Sequence, residues 1–228
     1  MSDKNIILKT AYISLFVQLF IGILGIHGIL IPLEEEDYIL KEIIIMETIV
    51  QFIELTFYIW LTIKLSKMSF DVTYTRYFDW FISTPIMLLS TIFLFEYINA
   101  KQNNEIARIS NIINEDGDTI IKVLISNVIM LLSGFLAEIK YIPRISGFLI
   151  GTIAFVYTFY TIKKEFVNEH IFNHYIFYFM AFFWGLYGVA FLFDYATKNV
   201  SYNFLDIFSK NFFELFTYII ILKTANYI

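Results

Sequence analysis

YNFLDIFSKNFFELFTYIIIL, residues 202–222, is the stretch on which the reading of this chain turns. It is apolar for the ~20 residues that a helix needs to cross a bilayer, yet it carries Lys210 in its interior and Asp206 four residues earlier. A charged ammonium at bilayer depth costs roughly 2.5–3.5 kcal/mol even on lenient insertion scales, so an intramembrane lysine points to function. Snorkelling to the interface does not relieve it. The 12 mostly apolar residues that follow carry Lys210 inward, by about three helical turns.

On a helix Asp206 and Lys210 are neighbours at i and i+4. A second carboxylate, Asp79, lies in the apolar run that begins Arg76-Tyr77-Phe78-Asp79-Trp80. Burial disfavours the charged form of an amine, and an uncharged amine can attack an aldehyde to form a Schiff base. Two acids can then hold the protonated imine. A plain buried ion pair between helices is the other reading, and these residues alone do not separate the two.

The composition excludes a soluble domain: 58% of residues are hydrophobic, 20% aromatic, and mean hydropathy is +0.68 over 228 residues with net charge -5. This is the profile of a polytopic membrane protein. With no cysteine, disulfides, thiolate catalysis and thiolate metal sites are excluded. His27, His170 and His174 form no ligand set, and His170 and His174 read as an interfacial pair beside the polar 163–169 linker. The first apolar segment follows a short polar stretch with neither a basic flank nor a cleavage site, so it is expected to stay as a span.

Apolar runs near 20 residues long occur at 6–26, 38–65, 73–98, 119–139, 145–162, 171–193 and 202–222, and predict an all-α bundle of seven transmembrane helices in one domain. The breaks carry turn or charge signals: Pro32 with Glu34, Glu35, Glu36 and Asp37; 66–71; 101–118 with Glu115-Asp116-Gly117-Asp118; 140–144 around Pro143; 163–169; and 194–203. Seven spans put the termini on opposite sides. The basic residues tie, with Lys4, Lys9, Lys64, Lys67, Lys140, Arg144 and Lys198 against Lys41, Lys101, Arg108, Lys122, Lys163, Lys164 and Lys223, so charge does not orient the chain.

Asp79 follows Arg76 by three residues and precedes Ser83 by four, which places all three near one helix face, with Thr84 and Pro85 behind. Proline in a transmembrane helix frees a carbonyl that Ser or Thr hydroxyls can satisfy. Arg76-Tyr77-Phe78-Asp79-Trp80 running into Ser83-Thr84-Pro85, paired with Leu205-Asp206-Ile207-Phe208-Ser209-Lys210, resembles the third and seventh helices of microbial (type 1) rhodopsins. The likeness extends to Trp184 and Tyr187 on helix six, where Gly188 stands in place of a frequent proline. It also takes in Asn127, Met130 and Gly134 on helix four and Phe148 on helix five. It implies a seven-helix bundle holding all-trans retinal on Lys210, with Asp79 and Asp206 as counterions, Arg76 in the outer polar network and the polyene between Trp80 and Trp184. It also implies an N-terminus outside.

Fold likeness leaves pump, channel and sensor open. Outward proton pumps of the family commonly carry a carboxylate eleven positions after the counterion, and here that position is Ser90, which cannot donate in the same way. Helix two instead carries Glu47, Gln51 and Glu54 as a polar stripe, with Glu36 on the same face if the helix starts early. Intramembrane acids in a row mark an ion or proton path, against the alternative of neutral acids bonding between helices. Ser14, Glu47 and Asn211 resemble the central gate of channelrhodopsins, and Glu214 suits an inner gate or proton donor as well as plain packing. Thr84 and Asn127 resemble the pair that tunes channel closing.

The pattern looks most like giant-virus rhodopsins of the light-gated cation channel group. The expectation is thus a non-enzymatic photoreceptor and light-gated cation channel, with an outward proton pump as the alternative and a photosensor third. Implied partners are the lipid bilayer of a host cell, monovalent cations and protons, with room for a homo-oligomer and no role for nucleic acid.

Overall fold

The computed structural model describes residues 3–67 and 71–227. Ser2 and the middle of the break at 66–71 lie outside the described residues. The helices are α1 (Asp3–Leu30), α2 (Ile39–Lys67), α3 (Arg76–Asn103), α4 (Ile109–Glu138), α5 (Arg144–Glu165), α6 (Ile171–Phe191), α7 (Tyr195–Asp206) and α8 (Phe212–Thr224). A π turn, Ile207–Asn211, joins α7 to α8, so these three pieces form one seventh rod. Short 3-10 turns, Glu35–Asp37 and Thr73–Thr75, lead into α2 and α3.

Each of α1 to α6 is long and apolar enough to cross a membrane by itself. The polarity is that of a bundle in lipid: Phe16 and Ile153 face outward at 67% and 71% exposure, while Arg76, Asp206, Glu54 and Asn203 are fully buried. Apolar side chains gain nothing by hiding from lipid tails, so the interior is free to hold the polar groups. α1 begins at the amino end of the bundle, and the seventh rod finishes at the opposite, carboxy end.

Two boundaries depart from the sequence reading. The acidic run Glu115 to Asp118, expected in a loop, lies inside α4, which begins ten residues before the expected span. Ile112 is buried against the core and anchors these extra turns, while Glu115 and Asp118 stay exposed. One interior glycine, Gly117, costs about 1 kcal/mol, too little to end the helix. The seventh rod likewise begins at Tyr195, because Asp194 caps it, its carboxylate accepting from the amides of Ala196 at 3.0 Å and Thr197 at 3.2 Å. Bonds from Thr197, side chain and backbone, hold the Asp194 carboxyl below the usual carboxylate range.

Glycine brings α5 against α4. A Cβ on Gly147 would lie 2.5 Å from the Ala137 Cβ and 2.7 Å from the Ser133 carbonyl, so no side chain fits there. At the amino end the ammonium of Lys198 meets Glu138 at 2.6 Å, both side chains under a tenth exposed, and this pair ties the seventh rod to the end of α4. At the carboxy end Tyr97 donates to Asp37 at 2.8 Å and Lys101 pairs with Asp37 and Glu36, each at 2.8 Å. Glu36 therefore sits in an exposed turn and does not extend the polar stripe of α2, which begins only at Ile39.

Candidate functional site

The π turn fixes the geometry around Lys210. Ring closure over five residues opens the helix locally, and the side chain of Asn211 donates to the carbonyl of Asp206 at 3.3 Å. Asp206 and Lys210 no longer stack as they would at i and i+4 of an α-helix. The Lys210 Nζ donates to Asp79 Oδ2 at 2.7 Å and lies 3.9 Å from Glu54 Oε1. Asp206, expected as an equal partner of the amine, turns toward the amino end. Its carboxylate accepts from Tyr58 and Tyr187, both at 2.7 Å, and pairs with Arg76 at 3.5 Å.

Arg76 is wholly buried, and five donors of a guanidinium need partners there. It donates to Asn199 Oδ1 at 3.0 Å, to Asn203 Oδ1 at 2.5 Å and to Tyr58 at 3.3 Å. Asn203 in turn donates to Thr10 Oγ1 at 2.7 Å, binding α1 into the same network. Sequence reasoning missed Tyr58, Asn199 and Asn203 in this role, although signals existed. Tyr58 continues the stripe of Glu47, Gln51 and Glu54, and Asn199 and Asn203 precede Asp206 on one helix face.

On the other side of Lys210 lies a cavity of about 360 Å³. It is lined by Lys210 and Ser209 of the seventh rod, Trp80 and Thr84 of α3, Met130 and Gly134 of α4, Phe148 of α5, and Trp184, Tyr187 and Gly188 of α6. A Cβ on Gly134 would sit 2.6 Å from Tyr77 Oη, and one on Gly188 would sit 3.9 Å from Phe148. Trp80 is fixed edge-on to Tyr202 and Tyr187, with centroids 5.0 and 5.4 Å away. Behind the wall Asn127 donates to Thr84 Oγ1 at 2.8 Å. The hydroxyls of Ser83 and Thr84 bond the carbonyls of Asp79 at 3.0 Å and Trp80 at 2.8 Å, one turn back, ahead of Pro85.

Toward the carboxy end runs a seam of buried polar side chains between α1, α2, α3 and the seventh rod. Gln18 donates to Ser14 Oγ at 3.0 Å, and Gln51 donates to the Gln18 carbonyl at 3.1 Å and to Asn211 Oδ1 at 2.5 Å. Ser14 and Asn211 are thus joined, but through Gln18 and Gln51. Glu47, expected at that junction, lies a turn further along and accepts a short hydrogen bond from Ser90. Glu214 accepts from Thr48 at 3.1 Å, in space that Gly25 leaves by having no Cβ. Gln18 was legible as a polar residue four positions after Ser14 on an apolar helix.

A model of the family described as bacteriorhodopsin-like protein matches residues 9–224. The chain belongs to the bacteriorhodopsin-like family of microbial rhodopsins. Among solved structures, the rhodopsin is similar to viral rhodopsin OLPVRII, with 25% identity, a TM-score of 0.83, and 95% of this chain and 98% of that one covered. It is also similar to the blue light-absorbing proteorhodopsin from Med12, at 17% identity and TM-score 0.76 over 96% of this chain and 98% of that one. The proton pumping rhodopsin AR2 from the marine alga Acetabularia acetabulum matches at 17% identity and TM-score 0.73, covering 98% of this chain and 97% of the other. No curated protein sequence matches.

Membership makes this an integral multi-pass membrane protein whose cofactor is retinal. The residues present fit that group. The cavity has the size and apolar lining of a small-molecule site and holds a lysine amine at one end. The buried indole nitrogens of Trp80 and Trp184 have no protein hydrogen-bond partner, and both rings line the cavity. Lys210 would be the residue to hold retinal covalently, and the Asp79 carboxylate, 2.7 Å from its amine, would be the nearest compensating charge.

Proposed function

We propose that the rhodopsin is a light-gated cation channel, with its amino end outside a host cell membrane. The observation that carries the reading is the buried polar seam from Lys210 to the carboxy end, closed at the Gln51–Asn211 bond. Retinal, when bound, supplies a light-driven change of shape at the Lys210 nitrogen. Asn211 follows Lys210 within one π turn, so movement of the lysine backbone pulls directly on the bridge to Gln51 and, through Gln18, on Ser14.

Asp79 and Asp206 balance the positive charge of Lys210 and Arg76, and loss of that pairing loosens the seventh rod against α2 and α3. Carboxylates along an opened seam, Glu54 beside Lys210 and Glu47 and Glu214 beyond the bridge, favour cations over anions. Protons and monovalent cations are the expected cargo.

A second reading, an outward proton pump, is favoured by one contact. Ser90 occupies the position where pump relatives commonly have a carboxylate, and the Glu47 carboxylate from α2 reaches that same place.

The gate is tested by removing its bridge. A buried neutral hydrogen bond contributes about 1 kcal/mol, so Gln51→Ala or Asn211→Ala is expected to raise the dark leak current about fivefold and to alter ion selectivity. Whole-cell recording of both variants checks this. Wild-type leak and selectivity in both would remove Gln51 and Asn211 from the gate and leave the channel reading without its carrying observation.

A further inference from the structure

Glu54 is the acid around Lys210 whose hydrogen bonding does not close. It is fully buried, its Oε1 lies 3.9 Å from Lys210 Nζ, and neither of its oxygens has a protein donor within hydrogen-bond distance. The other charges are already matched. Arg76 pairs with Asp206 at 3.5 Å, Asp206 also accepts from two tyrosines, and Lys210 donates to Asp79 at 2.7 Å.

The charged or titratable groups facing Glu54 are Tyr58 on its own helix, Asp79 on α3, Tyr187 on α6, and Asp206, Lys210 and Glu214 on the seventh rod; behind them Arg76 pairs with Asp206, and Glu47, seven residues earlier on α2, is held by Ser90. From α1 the neighbouring polar groups are the uncharged Ser14 and Gln18. Even with Glu47 and Glu214 left aside, the carboxylates of Asp79, Asp206 and Glu54 against the two cations Lys210 and Arg76 would leave a buried charge uncompensated, and Glu54 is the one of the three without a donor. A buried carboxylate in that position takes up a proton instead of staying charged.

We propose that Glu54 stands beside Lys210 as a neutral, proton-carrying acid in the dark, not as a third counterion. A neutral Glu54 has a hydroxyl to donate, and Asp79 Oδ1, flanking the same amine, is a buried acceptor with no protein partner. Glu54 would therefore support the counterion and store a proton next to the nitrogen whose charge changes in the light. This rests on retinal at Lys210 and is independent of passive or active transport.

The test is infrared difference spectroscopy and visible absorption of the retinal-loaded full chain. The expected result is a protonated-carboxyl band, shifted by D2O, that Glu54→Gln loses and that Glu47→Gln and Glu214→Gln retain. Glu54→Gln should also keep the wild-type dark absorption maximum, while Asp79→Asn moves to longer wavelength. If Glu54→Gln keeps every such band and moves its maximum as far as Asp79→Asn does, Glu54 is an anionic counterion and the proposal is overturned. Should Glu54→Gln fail to fold, wild-type protein grown on carboxyl-labelled glutamate decides the same point: the band shifts with the label, or, if no protonated band responds to it, the proposal fails.

Discussion

Lys210→Ala is expected to give a folded protein that stays colourless when retinal is added. Lys210 is the amine lining the cavity, and around it the walls are aromatic rings, aliphatic side chains, methionine, serine and threonine hydroxyls and glycine, none able to form an imine with an aldehyde. The whole visible band should therefore vanish. The substitution also strands Asp79 in the bundle, and breaking a buried pair by removing one partner costs about 3–5 kcal/mol. The variant should melt earlier than wild type, and adding Asp79→Asn should recover most of that loss. Far-ultraviolet circular dichroism distinguishes an intact but colourless bundle from one that failed to fold. A coloured Lys210→Ala protein would mean that the linkage lies elsewhere.

Asp79→Asn should produce the largest change in colour among the acids. Two unit charges about 4 Å apart interact by about 4 kcal/mol at an effective dielectric of about 20. At 1.36 kcal/mol per tenfold, that is a shift of up to roughly a thousandfold between the protonated and bleached forms at the Lys210 nitrogen. Asp206 remains nearby and reduces the figure. The absorption maximum should move to longer wavelength, because an anion at the nitrogen stabilises the ground state more than an excited state in which positive charge has moved along the polyene. Asp206→Asn should have the smaller spectral effect, since Asp206 is held by Arg76, Tyr58 and Tyr187 and not by Lys210. The reverse order in a spectroscopic titration would contradict the geometry.

The seven crossings were legible because each is announced by length and apolarity alone, and Lys210 because a charge inside such a run has no other excuse. The register of the seventh rod was not. A π turn has no compositional signature, so spacing predicted an Asp206–Lys210 stack that the backbone does not make. The same limit hid Glu54. Periodicity placed it on the stripe of α2 with Glu47 and Gln51, but only the packing of α2 against the seventh rod shows that one member faces the amine, one holds Asn211 and one meets Ser90. The acidic turns of α4 were misread for a related reason, since charge and glycine signal a loop only when nothing buried, such as Ile112, holds the helix together.

The seam lies apart from the cavity: Ser14 and Gln18 on α1, Gln51 on α2 and Asn211 on the seventh rod form a hydrogen-bonded bridge across three elements, and none of the four lines the pocket. A bridge of neutral groups can open at small energetic cost, which suits a gate.

The measurement that tests this most directly is the stationary photocurrent of the wild-type chain recorded while membrane voltage is stepped through both signs. Passive cation conduction predicts a current that reverses, at a voltage that moves when the cation gradient is changed. A photocurrent of one fixed direction at every voltage would contradict the channel and leave Glu47, at Ser90, as part of a pump.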